Sequence, residues 1–263
     1  MTDNRNKAVF VTGAASGLGE ATAERLATEG YDLALVDLNG DGVEVVADRL
    51  RRTGANVWSR ALDVSNEADV IAALEGAVAA HSGLWAAVNV AGIGVPSVFS
   101  ELTREMWDRT FAVNMTGTFL IAKAAAAHFG DRGGRIVNVA SIAAQQGGPF
   151  LVDYSASKGA VVSFTRALAR ALAPKGVNVN CVAPGLIRTQ MWRDGGDWMA
   201  ENVAGAAGLT SEEVFEASIV RQIPLGRPQT AQDVAGAIAY LVSDDGVNVT
   251  GQVMNVDGGA VMH

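Results

Sequence analysis

The chain has 263 residues, 49% of them hydrophobic and 18% charged, which is enough for one large domain or two small ones. Its formal net charge of −8 argues against a general nucleic-acid-binding protein, because an acidic surface repels phosphate backbones. Mean hydropathy is +0.20 and the sequence contains no uncharged apolar run of about 18 residues, so we expect no membrane span.

Few residues suit a disulfide or a metal site. The single cysteine, Cys181, excludes an internal disulfide and is interpreted as a small core residue. The three histidines are not spaced as metal ligands; they are His81, His128 and His263. This pattern predicts no metal site. The first residues, Met1–Lys7, are polar and have no apolar signal core, so we expect a cytoplasmic protein.

Short apolar runs alternate with longer helical patterns along the chain. The runs lack polar alternation, as in strands buried on both faces of a parallel sheet, and they are Ala8–Thr12, Leu33–Asp37, Val88–Val90, Ile136–Ala140, Val177–Val182 and Val253–Val256. Helical patterns follow at Glu20–Glu29, along the face of Val70, Leu74 and Val78, and after the capping box Thr230–Asp233. This alternation predicts βαβ units and a doubly wound α/β fold, in one domain over residues 1–263.

One segment departs from this rhythm, at about residues 192–223. It is long for a connection and rich in glycine and alanine, and we call it the lid segment. Its length and its place after a strand near the expected site favour a small helical lid over a substrate. A surface insertion of one or two helices is the alternative.

A glycine-rich turn, Thr12–Gly19, directly follows the first predicted strand and precedes a helical pattern. Strand, glycine turn and helix are the context of a dinucleotide site. Gly13 permits the tight turn, Gly17 lets the backbone approach a cofactor, and Gly19 allows the helix to pack closely on the strand. The helix N-terminus would then face a pyrophosphate.

Asp37 ends the second predicted strand and is followed by Leu38 and Asn39 rather than by a basic residue. A carboxylate there can accept both hydroxyl groups of an adenosine ribose and repels a 2′-phosphate. The sequence therefore predicts NAD rather than NADP. The alternative is an ordinary turn or helix-capping role for Asp37.

Four polar residues form a candidate catalytic group. Ser141 follows a predicted strand, and Tyr154 and Lys158 stand four apart, on one face of a helix. A lysine near a phenol is expected to lower the tyrosine pKa, so that Tyr154 can exchange a proton with an alcohol or carbonyl oxygen held by Ser141. Asn114 could order a water molecule near Lys158. Separately, Ser141 could merely end a strand, and Tyr154 and Lys158 could be a solvated pair.

Taken together, these motifs resemble a short-chain dehydrogenase/reductase of the single-domain type. The resemblance covers nearly the whole chain and rests on ordered motifs: Thr12–Gly19, Asn89–Gly92, Ser141, Tyr154–Lys158 and Pro184–Gly185. It implies a seven-stranded Rossmann sheet and hydride transfer between a nicotinamide and a carbonyl or alcohol. It also implies Tyr154 as acid/base, Ser141 as substrate-orienting group and Asn114 as support for a proton-relay water.

The resemblance extends to the cofactor and the assembly. Lys158, beside Tyr154, is expected to bind the nicotinamide ribose. The other cofactor positions that it implies, besides the three glycines and Asp37, are Ser16, Leu18, Asp63, Val64, Asn89, Ala91, Gly92, Pro184, Gly185, Ile187 and Thr189. A homotetramer is expected, built from the helices Asn114–Phe129 and Tyr154–Ala173 and from the C-terminal tail Asp257–His263.

The substrate is less well defined by the sequence. Gln145, Gln146, Phe150 and Trp192 combine amides with aromatic walls, which suits a small secondary alcohol or ketone such as a diol, hydroxyketone or polyol. A 3-oxoacyl thioester reductase is an alternative that Asp37 disfavours, since reductive biosynthesis usually draws on NADPH. A dinucleotide-binding protein without turnover is a second alternative, which the presence of both Tyr154 and Lys158 disfavours.

Overall fold

A seven-stranded parallel sheet forms the centre of the molecule in a computed structural model, which describes residues 4, 6–131 and 133–262. Its strands are β1 (Ala8–Thr12), β2 (Asp32–Asp37), β3 (Val57–Ala61), β4 (Ala86–Asn89), β5 (Gly134–Val139), β6 (Val177–Pro184) and β7 (Val253–Val256). They lie in the order β3-β2-β1-β4-β5-β6-β7, and every neighbouring pair is parallel.

Ten α-helices connect these strands within the described residues. They are α1 (Gly17–Thr28), α2 (Gly40–Arg52), α3 (Glu67–His81), α4 (Arg104–Phe111), α5 (Thr118–His128), α6 (Ala143–Gln146), α7 (Val152–Leu172), α8 (Gln190–Asn202), α9 (Ser211–Gln222) and α10 (Ala231–Val242). Helix α3 buries Val70 and Leu74, and Val78 is half-buried, so the predicted apolar face is confirmed in outline.

Helices cover both faces of the sheet, because the strands carry apolar side chains on both sides. All five residues of β1 are buried, and so are all six of β5. One core contains Val9, Val11 and Leu35 with α10, and the other contains Phe10 and Val36 with α3 and α5. The predicted doubly wound α/β fold is confirmed, as is the burial of Cys181 in β6.

The strand order reverses between β1 and β4, where the chain leaves the two strands toward opposite halves of the sheet. In open α/β sheets a crevice forms at such a reversal, outside the carboxyl ends of the strands. The glycine turn after β1 and the residues after β4 therefore lie at the mouth of this crevice.

The helix expected over Asn114–Phe129 has a different form. A π-type turn occupies Ala112–Gly117, between α4 and α5, and the regular helix begins only at Thr118. His128 is the last residue of α5. Residues 1–3, 5, 132 and His263 lie outside the described residues, and these include parts of the N-terminal segment Met1–Lys7 and of the C-terminal tail.

The lid segment contains two helices. Helix α8 begins at Gln190, shortly before the expected boundary, and α9 ends at Gln222. Elsewhere, none of the helices in the described ranges combines the length and apolar character that crossing a membrane requires.

Replacing Thr230 by alanine should lower the free energy of unfolding by about 1 kcal/mol. The Thr230 side chain accepts from the Asp233 amide, and the Asp233 side chain accepts from the Thr230 amide, so the variant leaves helix α10 uncapped. Urea unfolding measures the loss. Thr28→Ala is the control: its exposed hydroxyl bonds within α1 to the carbonyl of Glu24, so its effect should stay below about 0.5 kcal/mol. Equal effects of the two variants would contradict the capping role.

Candidate functional site

The glycine turn after β1 brings backbone segments together without room for side chains. Gly13 has φ +68°, and a Cβ atom there would lie 2.9 Å from the backbone nitrogen of Ala91. A Cβ atom on Gly19 would overlap the carbonyl oxygen of Gly13. Only glycine at position 19 therefore lets α1 pack against the end of β1.

The N-terminus of α1 is open to the crevice. Gly17 has φ +55°, and a Cβ atom on it would meet no described atom within 4 Å. Ser16 is exposed and makes no side-chain hydrogen bond to the helix that it precedes, and Leu18 packs against the core. The first N–H groups of the helix thus have no side-chain cap and border open space, which fits the pyrophosphate of a dinucleotide.

The Asp37 carboxylate lies beside this turn. One of its oxygens accepts from the Ala15 amide at 3.0 Å, and the other accepts from the Asn39 amide at 2.9 Å. Asn39, rather than Asp37, caps helix α2 by accepting from Gly42. The carboxylate is therefore held in place at the carboxyl end of β2, half-buried, where an adenosine ribose would lie next to the glycine turn.

Thr12 was not singled out by the sequence reasoning, although it joins two parts of the crevice. Its hydroxyl accepts from the amides of Val90 and Ala91, each at 3.1 Å. This places the segment Asn89–Gly92 over the glycine turn. The signal was available, because Thr12 ends β1 and Val90 directly follows its neighbour β4, but the strand order had to be known first.

Asn89 is tied into the sheet rather than turned freely toward a cofactor. Its amide nitrogen donates to the side-chain oxygen of Asn138 at 2.9 Å, and Asn138 in turn donates to the Thr165 hydroxyl. The Asn89 side-chain oxygen is buried and has no partner among the described residues. A polar atom of this kind is satisfied by a bound water or ligand group.

Asp63 and Val64 follow β3 at the same edge of the sheet. The amide and hydroxyl of Ser65 both donate to one oxygen of Asp63, and these bonds together with Arg109 hold the pKa of the Asp63 carboxyl below its usual range. Val64 is buried against Gly117, where a Cβ atom would approach it to 2.7 Å. Asp63 is thus a fixed anion near the expected adenine position.

The candidate catalytic side chains come together at the carboxyl end of β5. The Ser141 side chain is close enough to the Tyr154 hydroxyl to lower its pKa, and the Lys158 ammonium lies 5.7 Å from the centre of the Tyr154 ring. Lys158 donates to the Val139 carbonyl oxygen at 2.8 Å. Gly94 packs against the tyrosine ring so closely that a Cβ atom there would lie 2.9 Å from it.

Burial governs the protonation of this group. Burial lowers the pKa of Lys158 from 10.5 to about 8. Burial also raises the pKa of the Tyr154 hydroxyl, and the nearby Ser141 side chain partly offsets this rise. The expected lowering of the tyrosine pKa by lysine is therefore not the dominant effect here. The physical reason is desolvation, which disfavours the phenolate and the ammonium alike.

Asn114 lies in the π-type turn and is fully buried. Its side chain accepts from the Ile93 amide at 2.8 Å and donates to the Ile93 carbonyl at 2.8 Å and the Ser157 hydroxyl at 3.0 Å. A Cβ atom on Gly92 would lie 3.1 Å from the Lys158 nitrogen and 3.2 Å from the Asn114 side-chain oxygen. Asn114 is therefore close to Lys158. Its side chain hydrogen-bonds to Ile93 and Ser157, and its expected role in ordering a water molecule stays a prediction.

The segment after β6 packs against the end of the sheet. The Pro184 carbonyl accepts from Ile142, and Gly185 lies so close to Gln229 that a Cβ atom would overlap the Gln229 side-chain oxygen. Ile187 pairs with Gln229 in a short parallel bridge. The Thr189 hydroxyl accepts from the Trp192 amide and caps α8, a role that the sequence reasoning did not anticipate.

The four predicted substrate residues make separate contacts in the structure, and their role stays a prediction. Gln145 donates to the Asn255 side chain at 2.9 Å, and Gln146 donates to the Ala260 carbonyl at 3.0 Å. Phe150 alone among them faces the lid segment across an aromatic pair, with its ring 5.4 Å from that of Trp198 in α8. The Gln145 amide thus bonds to β7 and the Gln146 amide to the C-terminal tail, which folds back beside α6.

Trp192 is part of the internal packing of the lid segment. Its ring lies edge-on to Phe215 at 5.1 Å, in an apolar cluster with Ile219 and Ile223. Arg188 stacks over Phe215 at 4.6 Å and bonds the carboxylates of Glu212 and Glu216. The lid helices are thereby joined to the segment Ile187–Thr189.

Two further residues near Tyr154 escaped the sequence reasoning. Asp153 is buried, accepts from the Thr110 hydroxyl at 2.6 Å and from the Tyr154 amide at 2.8 Å, and so links α4 to the start of α7. Ser157 accepts from Asn114 and donates to the Tyr154 carbonyl at 2.7 Å. Both flank recognised motif residues, but only the packing of α4 and the π-type turn shows their partners.

This arrangement of fold and site is that of the short-chain dehydrogenases. The model of the short chain dehydrogenase family matches residues 7–200, and the chain belongs to that family of oxidoreductases.

Several proteins resemble the chain over almost its whole length. L-2,3-butanediol dehydrogenase of Corynebacterium glutamicum is 38% identical, with 97% of this chain and 98% of the relative covered. The 3-oxoacyl-[acyl-carrier-protein] reductase FabG of Escherichia coli K12 is 32% identical, over 97% and 98%. Among solved structures, the NAD⁺-bound form of xylitol dehydrogenase superposes with a TM-score of 0.93 at 30% identity, over 98% of this chain and all of that one.

Replacing Lys158 by methionine should change how stability depends on pH. Between pH of about 8 and 10.5 the folded wild-type protein loses the Lys158 proton while the unfolded chain keeps it, so wild-type stability gains from rising pH. The variant lacks this gain. The free energy of unfolding of the variant relative to wild type should therefore fall across that window, by on the order of 1–3 kcal/mol.

Denaturant unfolding at a series of pH values measures the difference. Lys123→Met is the control, since Lys123 is exposed and pairs with Glu67 at the surface. Parallel pH curves for wild type and Lys158→Met would contradict the desolvation of Lys158.

Proposed function

We propose that the protein transfers a hydride between a nicotinamide cofactor and a small secondary alcohol or ketone. The observation that carries the proposal is the pairing of two features in one crevice. The open N-terminus of α1 and the Asp37 carboxylate suit a dinucleotide. The Tyr154 hydroxyl, with Ser141 and Lys158 close to it, suits proton exchange with an alcohol oxygen.

Each catalytic side chain has a distinct task in this proposal. Tyr154 gives a proton to, or takes one from, the substrate oxygen, and Ser141 orients that oxygen by a hydrogen bond. Lys158, with its pKa of about 8, can carry a charge near neutral pH and stabilise negative charge on Tyr154. The bound nicotinamide supplies the hydride acceptor or donor.

Asn114 and Ser157 hold the catalytic helix to the π-type turn, and so they fix the position of Tyr154 and Lys158 relative to Gly92. The cofactor would lie against the predicted positions around this crevice. The adenosine would meet Asp37 and Asp63, the pyrophosphate would meet the glycine turn, and the nicotinamide would meet the segment Pro184–Thr189.

NAD is the proposed cofactor. The Asp37 carboxylate is held by two backbone amides. It would accept hydrogen bonds from the ribose hydroxyl groups of NAD and would repel the 2′-phosphate of NADP at the same position. The structural similarity to a dehydrogenase with bound NAD⁺ supports the same choice.

A diol, hydroxyketone or polyol is the proposed substrate class. Butanediol and xylitol dehydrogenases are among the similar proteins, and the lid segment brings Trp198 over Phe150 beside the segment that follows Ser141. We propose that the segment acts as a lid, which an aromatic contact with the body of the protein would close over a small substrate.

A 3-oxoacyl thioester is the second candidate, favoured by the similarity to the Escherichia coli reductase. Acyl-carrier proteins are acidic partners, and the lid helix α9 carries the carboxylates Glu212, Glu213 and Glu216 at its surface. Like charge disfavours such docking.

The homotetramer and the cytoplasmic location stay predictions. Phe119 of α5 is partly exposed and contacts Phe164 of α7, which supports an interface on these two helices.

The first experiment offers NAD or NADP with butane-2,3-diol, xylitol and simple secondary alcohols, and offers NADH or NADPH with acetoacetyl-coenzyme A. We expect turnover of a diol or polyol with NAD. Tyr154→Phe should lower kcat by about 10²–10⁴-fold, because it removes the proton-exchanging hydroxyl, and should leave NADH binding nearly intact. Reduced-nicotinamide absorbance and fluorescence measure both.

Tyr240→Phe is the matched control, since Tyr240 lies on the surface of α10. Full activity of Tyr154→Phe would remove the mechanism. Reduction of the thioester alone would replace the diol by the second candidate.

Asp37→Ala should shift the cofactor preference toward NADP. In the proposed cofactor position, the Asp37 carboxylate repels the 2′-phosphate of NADP by a few kcal/mol, and the variant removes this repulsion. The ratio of kcat/KM with NAD to that with NADP should therefore fall by about tenfold or more. Steady-state kinetics with both cofactors test this, and Asp41→Ala, on the first turn of α2, is the control. An unchanged ratio would assign Asp37 to the turn alone.

A further inference from the structure

After β7 the chain folds back beside α6 and the end of the lid segment. We call residues Asp257–Met262 the C-terminal strut. The Asp257 carboxylate, almost fully buried, accepts from the Gly259 amide at 3.0 Å with one oxygen and from the Val261 amide at 2.8 Å with the other. Gly258 and Gly259 have φ of +65° and +88°, so the reversal depends on glycine.

One side of the strut binds the segment that follows Ser141. Asn255, in β7, donates to the Val261 carbonyl at 3.2 Å and exchanges hydrogen bonds with the Gln145 side chain. The Gln146 side chain donates to the Ala260 carbonyl at 3.0 Å. Helix α6 has only four residues and no side-chain cap, and these bonds join it to β7 and to the tail.

The other side of the strut binds the end of the lid segment. The Leu225 amide donates to the Gly258 carbonyl at 3.1 Å, and Ile223 contacts Gly258 so closely that a Cβ atom there would lie 2.6 Å from it. Ala260 packs against the apolar cluster of α9 that contains Phe215. The strut therefore touches both α6 and the end of the lid segment.

We propose that the C-terminal strut is a positioning element for the substrate site, which sets the distance between α6 and the lid helix α9. In this role Gln145 and Gln146 act through the strut and do not bind the substrate themselves. The proposal rests on the proposed function for its kinetic consequence, while its structural consequence is independent of any substrate.

Asp257→Ala is the sharpest test. Gly185 of the cofactor segment packs against the Cα and Cβ atoms of Asp257, and alanine keeps both. The variant removes only the carboxylate, which accepts hydrogen bonds from the amides of Gly259 and Val261. With butane-2,3-diol or xylitol we expect KM to rise roughly tenfold while kcat changes little, because Tyr154 and Lys158 are held by other contacts. The dissociation constant of NADH should stay unchanged.

Asp257→Asn keeps one acceptor oxygen and should give an intermediate KM. If Asp257→Ala fails to fold, the asparagine variant carries the same test. Asp233→Ala is the matched control: Asp233 also accepts a backbone amide, from Thr230, but it caps α10 and lies outside the strut. It should lower stability without raising KM.

Amide hydrogen exchange supplies the readout that needs no substrate. The amides of Gln146 and Gly147, which close α6, and those of α9 should exchange faster in Asp257→Ala than in wild type or Asp233→Ala. Faster exchange confined to the strut, or an NADH affinity that falls as much as KM rises, would overturn the proposal. Absence of turnover in the wild type would overturn the proposed function and leave the exchange experiment to decide on the strut.

Discussion

A contact between two stretches of backbone organises the active crevice. Gly19 lies so close to the Gly13 carbonyl that any side chain there would push α1 off the end of β1. With α1 seated, the Ala15 amide reaches Asp37, and the Thr12 hydroxyl reaches the amides of Val90 and Ala91. The ends of β1, β2 and β4 are thus tied together around one turn, so the cofactor site depends on a packing constraint and not only on ligand-binding side chains.

Burial of the candidate catalytic group costs free energy. Lys158 is almost completely enclosed, and desolvation disfavours its charge as it disfavours a charge on Tyr154. Proteins tolerate such groups where function needs them and offset the cost through packing elsewhere. Here two apolar cores, one on each face of the sheet, provide that packing.

The sheet, the glycine turn and the Ser141, Tyr154 and Lys158 group could be read from sequence, because each depends on local periodicity or short spacing. β3 was not read as a strand, since Arg60 and Ala61 are exposed and its pattern is weak. The contacts of Gln145 and Gln146 could not be read either, because they join α6 to residues of β7 and the tail that are 110 and 114 positions away in the sequence. The Thr189 cap is local, but its threonine was assigned to the cofactor instead.

The π-type turn at Ala112–Gly117 has a consequence for the helices on either side. A π-type turn accommodates one residue more than regular helix, and each residue of an α-helix advances by about 100°. Helices α4 and α5 are therefore out of rotational phase, and they pack in different directions: α4 against α7, α5 against α3 and β4. A single extra residue thus gives α4 and α5 different neighbours, and it leaves Asn114 buried at the step between them.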